Sequence, residues 1–325
     1  MRVHILDDWH DTLRGLPCFD RLADHEVTVW TDAASGPALA ERLQGAEALV
    51  LFRERTAITE PLLAALPGLK LISQRSVYPH VDVAACTRHG VLLSSNMGKD
   101  GPNVAAAELT FGLILSALRQ IPQQMAACKS GDWQIGVGKT AAGRTLGLYG
   151  YGRIARLAAG YARAFGMEVV WWASEESRAQ ARADGETVAE SREEFFAKSD
   201  VVSLHLRLTE ATKGIVTAAD LAQMKPTSLL VNTARAGLIA PGALLQALEA
   251  GTPGMAAVDV FDVEPQRDAG DPLLAHPRLI CTPHIGFVTE EELDRQFADI
   301  FDQVNAYAVG APIHMINPEV LTPSA

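Results

Sequence analysis

The amino-acid sequence predicts an α/β protein with two doubly wound parallel sheets of the Rossmann or flavodoxin-like kind. Eleven short runs rich in Val, Ile and Leu alternate with helix-length amphipathic segments along most of the 325 residues. Runs that are apolar throughout are typical of parallel strands covered on both faces by the connecting helices. The runs fall into two sets, so we expect two such units.

The first set predicts strands at residues 2–6, 27–30, 48–52, 70–74 and 91–95. A domain boundary is expected near residues 99–102, because the segment GKDGP interrupts any regular element. The helix that follows, over 104–119, is the most apolar in the chain.

The second set predicts strands at 145–149, 169–172, 201–206, 228–233, 255–261 and 279–282. From Glu290 onward the pattern is one long amphipathic helix and a Pro-containing tail, which we expect to cross back onto the first domain. The predicted division is therefore residues 1–98 with 288–325 in one domain, and 99–287 in the other.

Composition excludes several classes of function. The net charge is −11 and the chain has no cluster of Lys and Arg, so neither nucleic acid nor an anionic membrane surface is an expected partner. No apolar segment reaches the roughly 20 residues of a membrane-spanning helix. The four cysteines are scattered, which predicts buried free thiols, a cytoplasmic protein and no metal site.

A glycine-rich turn predicts a dinucleotide site. The run Leu146–Tyr149 leads into Gly150 and Gly152, followed by Ala155 and a helical pattern. Gly150 would allow the tight turn, Gly152 the approach of a pyrophosphate, and Ala155 the close packing of helix on strand. The alternative is a packing turn in some other α/β protein.

The end of the next strand leaves the choice of nucleotide open. An NAD site usually has an acidic residue there for the ribose hydroxyls, but the position is occupied by Ala173. Ser174 with Arg178 favours the 2′-phosphate of NADP, whereas Glu175 and Glu176 would repel it and favour NAD. We expect NAD, with NADP as the alternative.

Three ionisable residues, Arg235, Glu264 and His284, follow three later strands. Ligands of open α/β sheets bind at that edge, so these side chains are expected to converge. Arginine binds carboxylates, histidine exchanges protons near neutral pH, and a carboxylate holds the imidazole in one tautomer. Taken singly, Arg235 could instead be a surface or ion-pair residue, Glu264 a cap of the following turn, and His284 a structural histidine.

The motifs GLYGYGRIA, NTARAGLI, AAVDVFDVEP and TPHIG resemble the D-isomer-specific 2-hydroxyacid dehydrogenase family, as LFRERT and VDVAACTRHGV do more loosely. The resemblance implies hydride transfer between a nicotinamide cofactor and a small 2-keto or D-2-hydroxy acid, such as glyoxylate or hydroxypyruvate. It also implies an active-site cleft between a substrate-binding domain and a nicotinamide-binding domain.

The resemblance implies a role for each matching residue. Arg235 would bind and polarise the substrate, Glu264 would pair with the imidazole, and His284 would be the acid/base. The cofactor would be bound by Gly150, Gly152, Arg153, Ile154, Ser174, Leu206, Ala234 and Asp259.

The substrate loop departs from the family. Where members have a glycine-rich loop whose N–H groups bind the substrate carboxylate, this chain has RSVYPH at 75–80. By position, Ser76 and Val77 are the expected donors. Arg53 stands where some members of the family bind an additional anionic group of the substrate; the alternative is a surface ion pair with Glu54 or Glu60.

Two further expectations concern partners. Trp133 lies in the arm that, in this family, reaches a second subunit, so we expect a homodimer; an ordinary half-buried Trp is the alternative. A nucleotide-sensing binding protein of the same fold, like the corepressors that resemble these dehydrogenases, is the alternative to an enzyme. The particular acid, the physiological direction and the nucleotide are not determined by the sequence.

Overall fold

The computed structural model describes residues 1–97 and 104–321 and divides into two compact units. Unit 1 comprises Met1–Gly101 with Thr289–Ala325, and unit 2 comprises Pro102–Val288. The segment expected to hold the domain boundary, 99–102, lies outside the described residues.

Regular structure alternates between strand and helix through most of the chain. The strands are β1 (Arg2–Ile5), β2 (Glu26–Val29), β3 (Ala48–Val50), β4 (Leu71–Arg75), β5 (Leu92–Asn96), β6 (Thr145–Tyr149), β7 (Glu168–Trp172), β8 (Val201–Leu204), β9 (Leu229–Asn232), β10 (Met255–Val258) and β11 (Leu279–Cys281). The helices are α1 (Gly36–Arg42), α2 (Glu60–Ala64), α3 (Val83–Arg88), α4 (Val104–Arg119), α5 (Ile121–Ser130), α6 (Arg153–Ala164), α7 (Glu175–Ala183), α8 (Arg192–Lys198), α9 (Ala218–Ala222), α10 (Ala243–Ala250) and α11 (Glu290–Ala308).

Unit 1 is a parallel sheet in the order β2-β1-β3-β4-β5. The connections reverse direction between β1 and β3, and in open α/β sheets such a point is where ligands bind, beyond the carboxyl ends of the strands. Helix α11 packs against β4, with Phe297, Ile300 and Phe301 buried and the Ser73 hydroxyl donating to the Ile300 carbonyl over 2.9 Å.

Unit 2 is a parallel sheet in the order β11-β10-β9-β8-β6-β7. One parallel bridge, Trp171 to Val188, extends the sheet beyond β7. This bridge stands where a third strand would complete the first half of a dinucleotide-binding sheet, so the direction of winding reverses between β6 and β8.

Small side chains allow helix α6 to approach the sheet and helix α4 closely. Its inward face consists of Ala155, Ala158, Ala159 and Ala162, all buried in the cluster that contains Ile114 of α4. On the other side of the sheet, aromatic and aliphatic residues fill a second cluster that includes Phe195, Phe196, Leu221 and Leu248. The prediction of two doubly wound parallel sheets is confirmed.

Helix α4 spans the predicted residues and ends at Arg119, and α5 starts a new direction, because Gln120 adopts a left-handed backbone (φ 54°) and is followed by Ile121 and a proline. The structure differs from the prediction at the ends of some strands. Strands β8, β9 and β10 end earlier than predicted, and the residues beyond their ends form loops instead of ladder pairs.

The cysteines are free, but they are not uniformly buried as predicted. Cys18 and Cys86 are buried and Cys281 is half-buried, whereas Cys128 is exposed because it lies on the outer face of α5. Burial raises the pKa of the Cys18 thiol to about 12 and that of Cys86 to about 11.

No single helix among the described residues is long and apolar enough to cross a membrane. Helices α4 and α5 reach that length only as a pair, across a bend of 57°.

Candidate active site

The glycine-rich turn after β6 can be built only from glycine at its first position. Gly150 has a φ of 117°, and a Cβ there would lie 2.5 Å from the carbonyl oxygen of His205, at the end of the neighbouring strand β8. Both features exclude an L side chain. The turn therefore lies directly at the switch point between β6 and β8.

The helix that follows this turn offers an anion site at its N-terminus. Gly152 is the residue before α6, no side chain caps the helix, and a Cβ on Gly152 would meet open space. Arg153 and Ile154 lie in the first turn of α6, where the backbone N–H groups and the helix dipole favour an anion. Leu206 packs beside Gly150, 3.3 Å from a Cβ built there. These residues fit a pyrophosphate.

The end of β7 lacks the acidic side chain that usually binds the ribose hydroxyls of NAD. Ala173 is buried at the expected acid position, and the Ser174 hydroxyl caps α7 by accepting from the Ser177 N–H. The Arg178 guanidinium lies 4.0 Å from the centre of the Trp172 ring and pairs with Glu175. The cation that could bind a 2′-phosphate is therefore already engaged by a carboxylate.

An imidazole–carboxylate pair lies beyond the carboxyl ends of β10 and β11. His284 Nδ1 is 2.5 Å from Glu264 Oε2, and the Phe261 N–H donates to the other Glu264 oxygen over 2.9 Å. An ionised carboxylate only accepts, so Nδ1 carries the proton. His284 Nε2 has no partner within residues 1–97 and 104–321.

The charge of Glu264 is stabilised in the folded protein. Partial burial raises the pKa of its carboxyl group, but the His284 hydrogen bond, the Phe261 N–H and the positive charges of His284 and Arg235 outweigh burial. The pKa of Glu264 consequently lies below its usual value. Arg235 thus acts on the pair electrostatically, as expected for side chains that follow neighbouring strands.

Arg235 is exposed and its loop is braced by a buried amide. Asn232, at the end of β9, donates through Nδ2 to the Arg235 carbonyl over 2.9 Å and accepts from the Ala234 N–H over 3.1 Å. The Arg235 guanidinium itself bonds only to the Ala234 carbonyl, over 2.7 Å, among the described residues. Its remaining donors are available to an anionic ligand.

Asp259 holds the loop that carries His284. It is fully buried and accepts from Thr282 Oγ1 (2.6 Å), the Ile285 N–H (2.8 Å) and the Gly286 N–H (2.9 Å). Burial raises the pKa of its carboxyl group, against these hydrogen bonds and the charge of His284. The cofactor contact expected of Asp259 stays a prediction. Sequence reasoning did not detect this supporting role.

In unit 1, three residues with left-handed backbones follow three adjacent strands. Asp7 (φ 60°), Arg53 (φ 59°) and Ser76 (φ 79°) come after β1, β3 and β4, which are neighbours in the sheet. Non-glycine residues adopt this conformation at a cost and are concentrated at functional sites. Arg53 and Ser76, which were predicted from their positions in the sequence, therefore both lie at the carboxyl ends of the strands.

A buried cluster joins the loops after β1 and β3. The Thr56 hydroxyl donates to the Asp7 carboxylate, and Arg55 donates to the Asp7 carbonyl over 2.6 Å. The Arg55 guanidinium stacks on Trp9 and Phe52 at 4.0 and 4.1 Å, and burial lowers its pKa to about 10. Phe52, Arg55 and Thr56 lie in the motif LFRERT, but sequence reasoning gave a role there only to Arg53.

The structure shows some of the partners of the residues that were predicted to bind the substrate. Glu60, suggested as an ion-pair partner of Arg53, instead pairs with Arg88 and His89. The Ser76 N–H donates to the Asn96 carbonyl over 3.0 Å, so it is not available as the expected backbone donor. The exposed Val77 N–H has no acceptor in the described part of the chain.

The chain is similar to known proteins over most of its length. Residues 111–286 match the family described as D-isomer specific 2-hydroxyacid dehydrogenase, NAD binding domain. The chain is 36% identical over 267 residues to D-3-phosphoglycerate dehydrogenase of Bacillus subtilis, covering 81% of this chain and 50% of that protein. It thus spans about half the length of that relative.

Two further likenesses extend over nearly whole chains. Glyoxylate reductase of Thermococcus litoralis is 31% identical over 314 residues, covering 92% of this chain and 93% of that protein. The crystal structure of an oxidoreductase from Ralstonia solanacearum is 45% identical, with a TM-score of 0.92, covering 99% of this chain and 98% of that one.

The position of His205 generates a prediction about pH and stability. Burial lowers the pKa of this imidazole, which bonds to Ser203 Oγ over 2.9 Å, from 6.5 to about 4. The imidazole binds a proton more tightly in the unfolded chain than in the folded one. The contribution of neutral His205 to the free energy of unfolding is therefore fully present above pH 6.5 and is lost as pH falls toward 4. Between pH 7 and pH 5, wild type should lose about 2 kcal/mol more of its free energy of unfolding than H205N, measured by urea titration.

The exposed His10 provides the control, since H10N should lose as much as wild type. Equal losses in H205N and wild type would show that His205 is not buried in its neutral form.

Proposed function

The chain belongs to the D-isomer-specific 2-hydroxyacid dehydrogenase family, and we propose that its own reaction is the NADH-dependent reduction of a small 2-keto acid, glyoxylate or hydroxypyruvate or a close relative, to the D-2-hydroxy acid. The observation that carries this proposal is the 2.5 Å hydrogen bond between His284 and Glu264, which leaves Nε2 as a proton donor at the edge of the sheet where Arg235 also lies. The named relatives are dehydrogenases and reductases, which favours an enzyme over a nucleotide sensor.

The proposed mechanism assigns one task to each side chain. The guanidinium of Arg235 binds the anionic keto acid and polarises its carbonyl group. Protonated His284 donates its Nε2 proton to the carbonyl oxygen of the substrate. The Nδ1 proton stays on His284 and keeps its hydrogen bond to Glu264, whose negative charge stabilises the imidazolium before the transfer. The cofactor, when bound, supplies the hydride for the carbonyl carbon.

The proposed cofactor contacts follow the geometry of unit 2. The N–H groups of Arg153 and Ile154 would bind the pyrophosphate above Gly150 and Gly152. The ribose and nicotinamide contacts are assigned to Ser174, Leu206, Ala234 and Asp259.

Further substrate contacts are proposed for unit 1. We assign Arg53, Ser76 and Val77 to the acid, through the Arg53 side chain, the Ser76 hydroxyl and the Val77 N–H. This assignment makes unit 1 the substrate-binding domain and unit 2 the nicotinamide-binding domain.

The acid role of His284 is tested by replacing it. Since one acid/base group contributes about 10²–10⁴-fold, H284A should lower kcat for keto-acid reduction by that factor and leave the dissociation constant for NADH unchanged, by steady-state kinetics and fluorescence titration. The exposed His10 gives the control variant H10A, expected to behave as wild type. A fully active H284A would contradict the assignment, and wild type inactive with a panel of keto acids and both nucleotides would contradict the proposed reaction.

We further propose that NADH is preferred over NADPH. Glu175 and Glu176 occupy the first turn of α7 directly after Ser174, and Glu175 already pairs with Arg178 and Arg182. A 2′-phosphate would have to displace this carboxylate and would be repelled by both acids.

Removal of one of these carboxylates should relax the preference. In E175Q the ratio of kcat/KM for NADPH to that for NADH should rise about tenfold, since about 1.4 kcal/mol of repulsion and competition is removed. Glu168, at the opposite end of β7, gives the control E168Q, for which the ratio should not change. Equal ratios in the two variants would refute the proposed basis of preference.

A homodimer is the proposed assembly. The exposed arm, defined as Ile121–Val137, presents Ile121, Met125, Trp133, Ile135 and Val137 to solvent, and Trp133 is 80% exposed. Apolar side chains concentrated in one exposed segment are typical of protein–protein contacts.

Light scattering tests the assembly. Wild type should give a mass about twice the 34.8 kDa of one chain, and W133E should shift toward a single chain. Val309, also 80% exposed but at the end of α11, gives the control V309E, expected to stay dimeric. A monomeric wild type would exclude the dimer.

A further inference from the structure

The side chain of Gln74 holds the loop after β4 from beneath. Gln74 is 1% exposed, and its Nε2 lies 3.0 Å from the Ser76 carbonyl oxygen and 3.3 Å from that of Val77. The same nitrogen lies 2.9 Å from Ser95 Oγ, and the Ser95 hydroxyl donates to the Ser76 carbonyl over 2.7 Å. Two consecutive loop carbonyls therefore face the buried amide.

The direction of these carbonyls determines the direction of the N–H groups that follow them. In a planar trans peptide, C=O and N–H point to opposite sides. The N–H groups of Val77 and Tyr78 therefore point away from Gln74, and neither has an acceptor in the part of the chain that the structure describes. Two successive N–H groups directed to one side form a concave site for a small anion.

The loop requires this support because it lacks glycine. Ser76 has a φ of 79°, a conformation that a residue with a Cβ adopts at a cost and retains only when its surroundings impose it. The surroundings are its own N–H on the Asn96 carbonyl and its own carbonyl on Gln74 and Ser95.

Gln303 provides a control for Gln74, because it is equally buried but, in the described part of the chain, makes no hydrogen bond to the loop. Gln303 of α11 is as buried as Gln74 (0% exposed), and its Nε2 donates to the Gln74 main-chain carbonyl over 3.1 Å. It makes no hydrogen bond to the loop 76–78 among the described residues. The two side chains share burial and network, and only Gln74 bonds to the loop.

We propose that Gln74 is a positioning residue that directs the N–H groups of Val77 and Tyr78 at the carboxylate of the keto acid, and so replaces a glycine-rich turn by a side-chain clamp. The proposal rests on the proposed function. It assigns the carboxylate contact to Val77 and Tyr78, whereas sequence position alone suggested Ser76 and Val77.

The test compares Q74M with Q303M, both of which remove the amide at nearly constant volume. The substrates are glyoxylate and methyl glyoxylate, which differ in the carboxylate charge. In Q74M, KM for glyoxylate should rise about tenfold with little change in kcat, since about 1.4 kcal/mol of oriented hydrogen bonding is lost. The preference for glyoxylate over its ester should fall by the same factor, and Q303M should retain the wild-type preference.

The outcomes separate this inference from the function on which it rests. If the wild-type protein has no keto-acid reductase activity, both the proposed function and the role of Gln74 are refuted. An active wild type with the same preference in Q74M and Q303M overturns the clamp alone, because it shows a structural role only. If Q74M fails to fold, S95A removes the second donor to the Ser76 carbonyl at smaller structural cost. In S95A the preference for the acid should fall about threefold, and an unchanged preference would likewise overturn the clamp.

Discussion

The hydrogen bond between His284 and Glu264 is the interaction on which the proposed chemistry depends. It fixes the tautomer of the imidazole, because the carboxylate accepts only from a protonated Nδ1. It is itself held at both ends: the Phe261 N–H donates to Glu264, and buried Asp259 accepts from the Thr282 hydroxyl before His284 and from the Ile285 N–H after it. Without these contacts the left-handed backbone of His284 (φ 55°) would be free to relax.

A chain with a net charge of −11 requires local cations if it is to bind an anionic acid. In the proposed mechanism this cation is Arg235, whose loop Asn232 holds in place and whose charge also lowers the pKa of Glu264. Arg55 has a different environment, since it lies between two aromatic rings and bonds to the Asp7 carbonyl. It therefore supports the loops that follow β1 and β3.

Most of the fold could be predicted from the sequence because parallel strands buried on both faces are continuous apolar runs. The same reasoning placed Arg235, Glu264 and His284 at strand ends. It did not detect Asp259 as a support, Gln74 as a clamp or Asn232 as a brace, because each acts through hydrogen bonds to loop backbone that only the folded chain brings within reach. Nor could it show that the Ser76 N–H is engaged by Asn96, 20 residues along the chain.

The assignment of His284 and Arg235 can be tested by a crystal structure of the enzyme with NADH and oxamate, an unreactive analogue of a 2-keto acid. Our account predicts His284 Nε2 within about 3 Å of the oxamate carbonyl oxygen, with the Arg235 guanidinium on the same ligand and the Glu264–His284 hydrogen bond retained. An imidazole turned away from the ligand, or oxamate bound without Arg235, would contradict it.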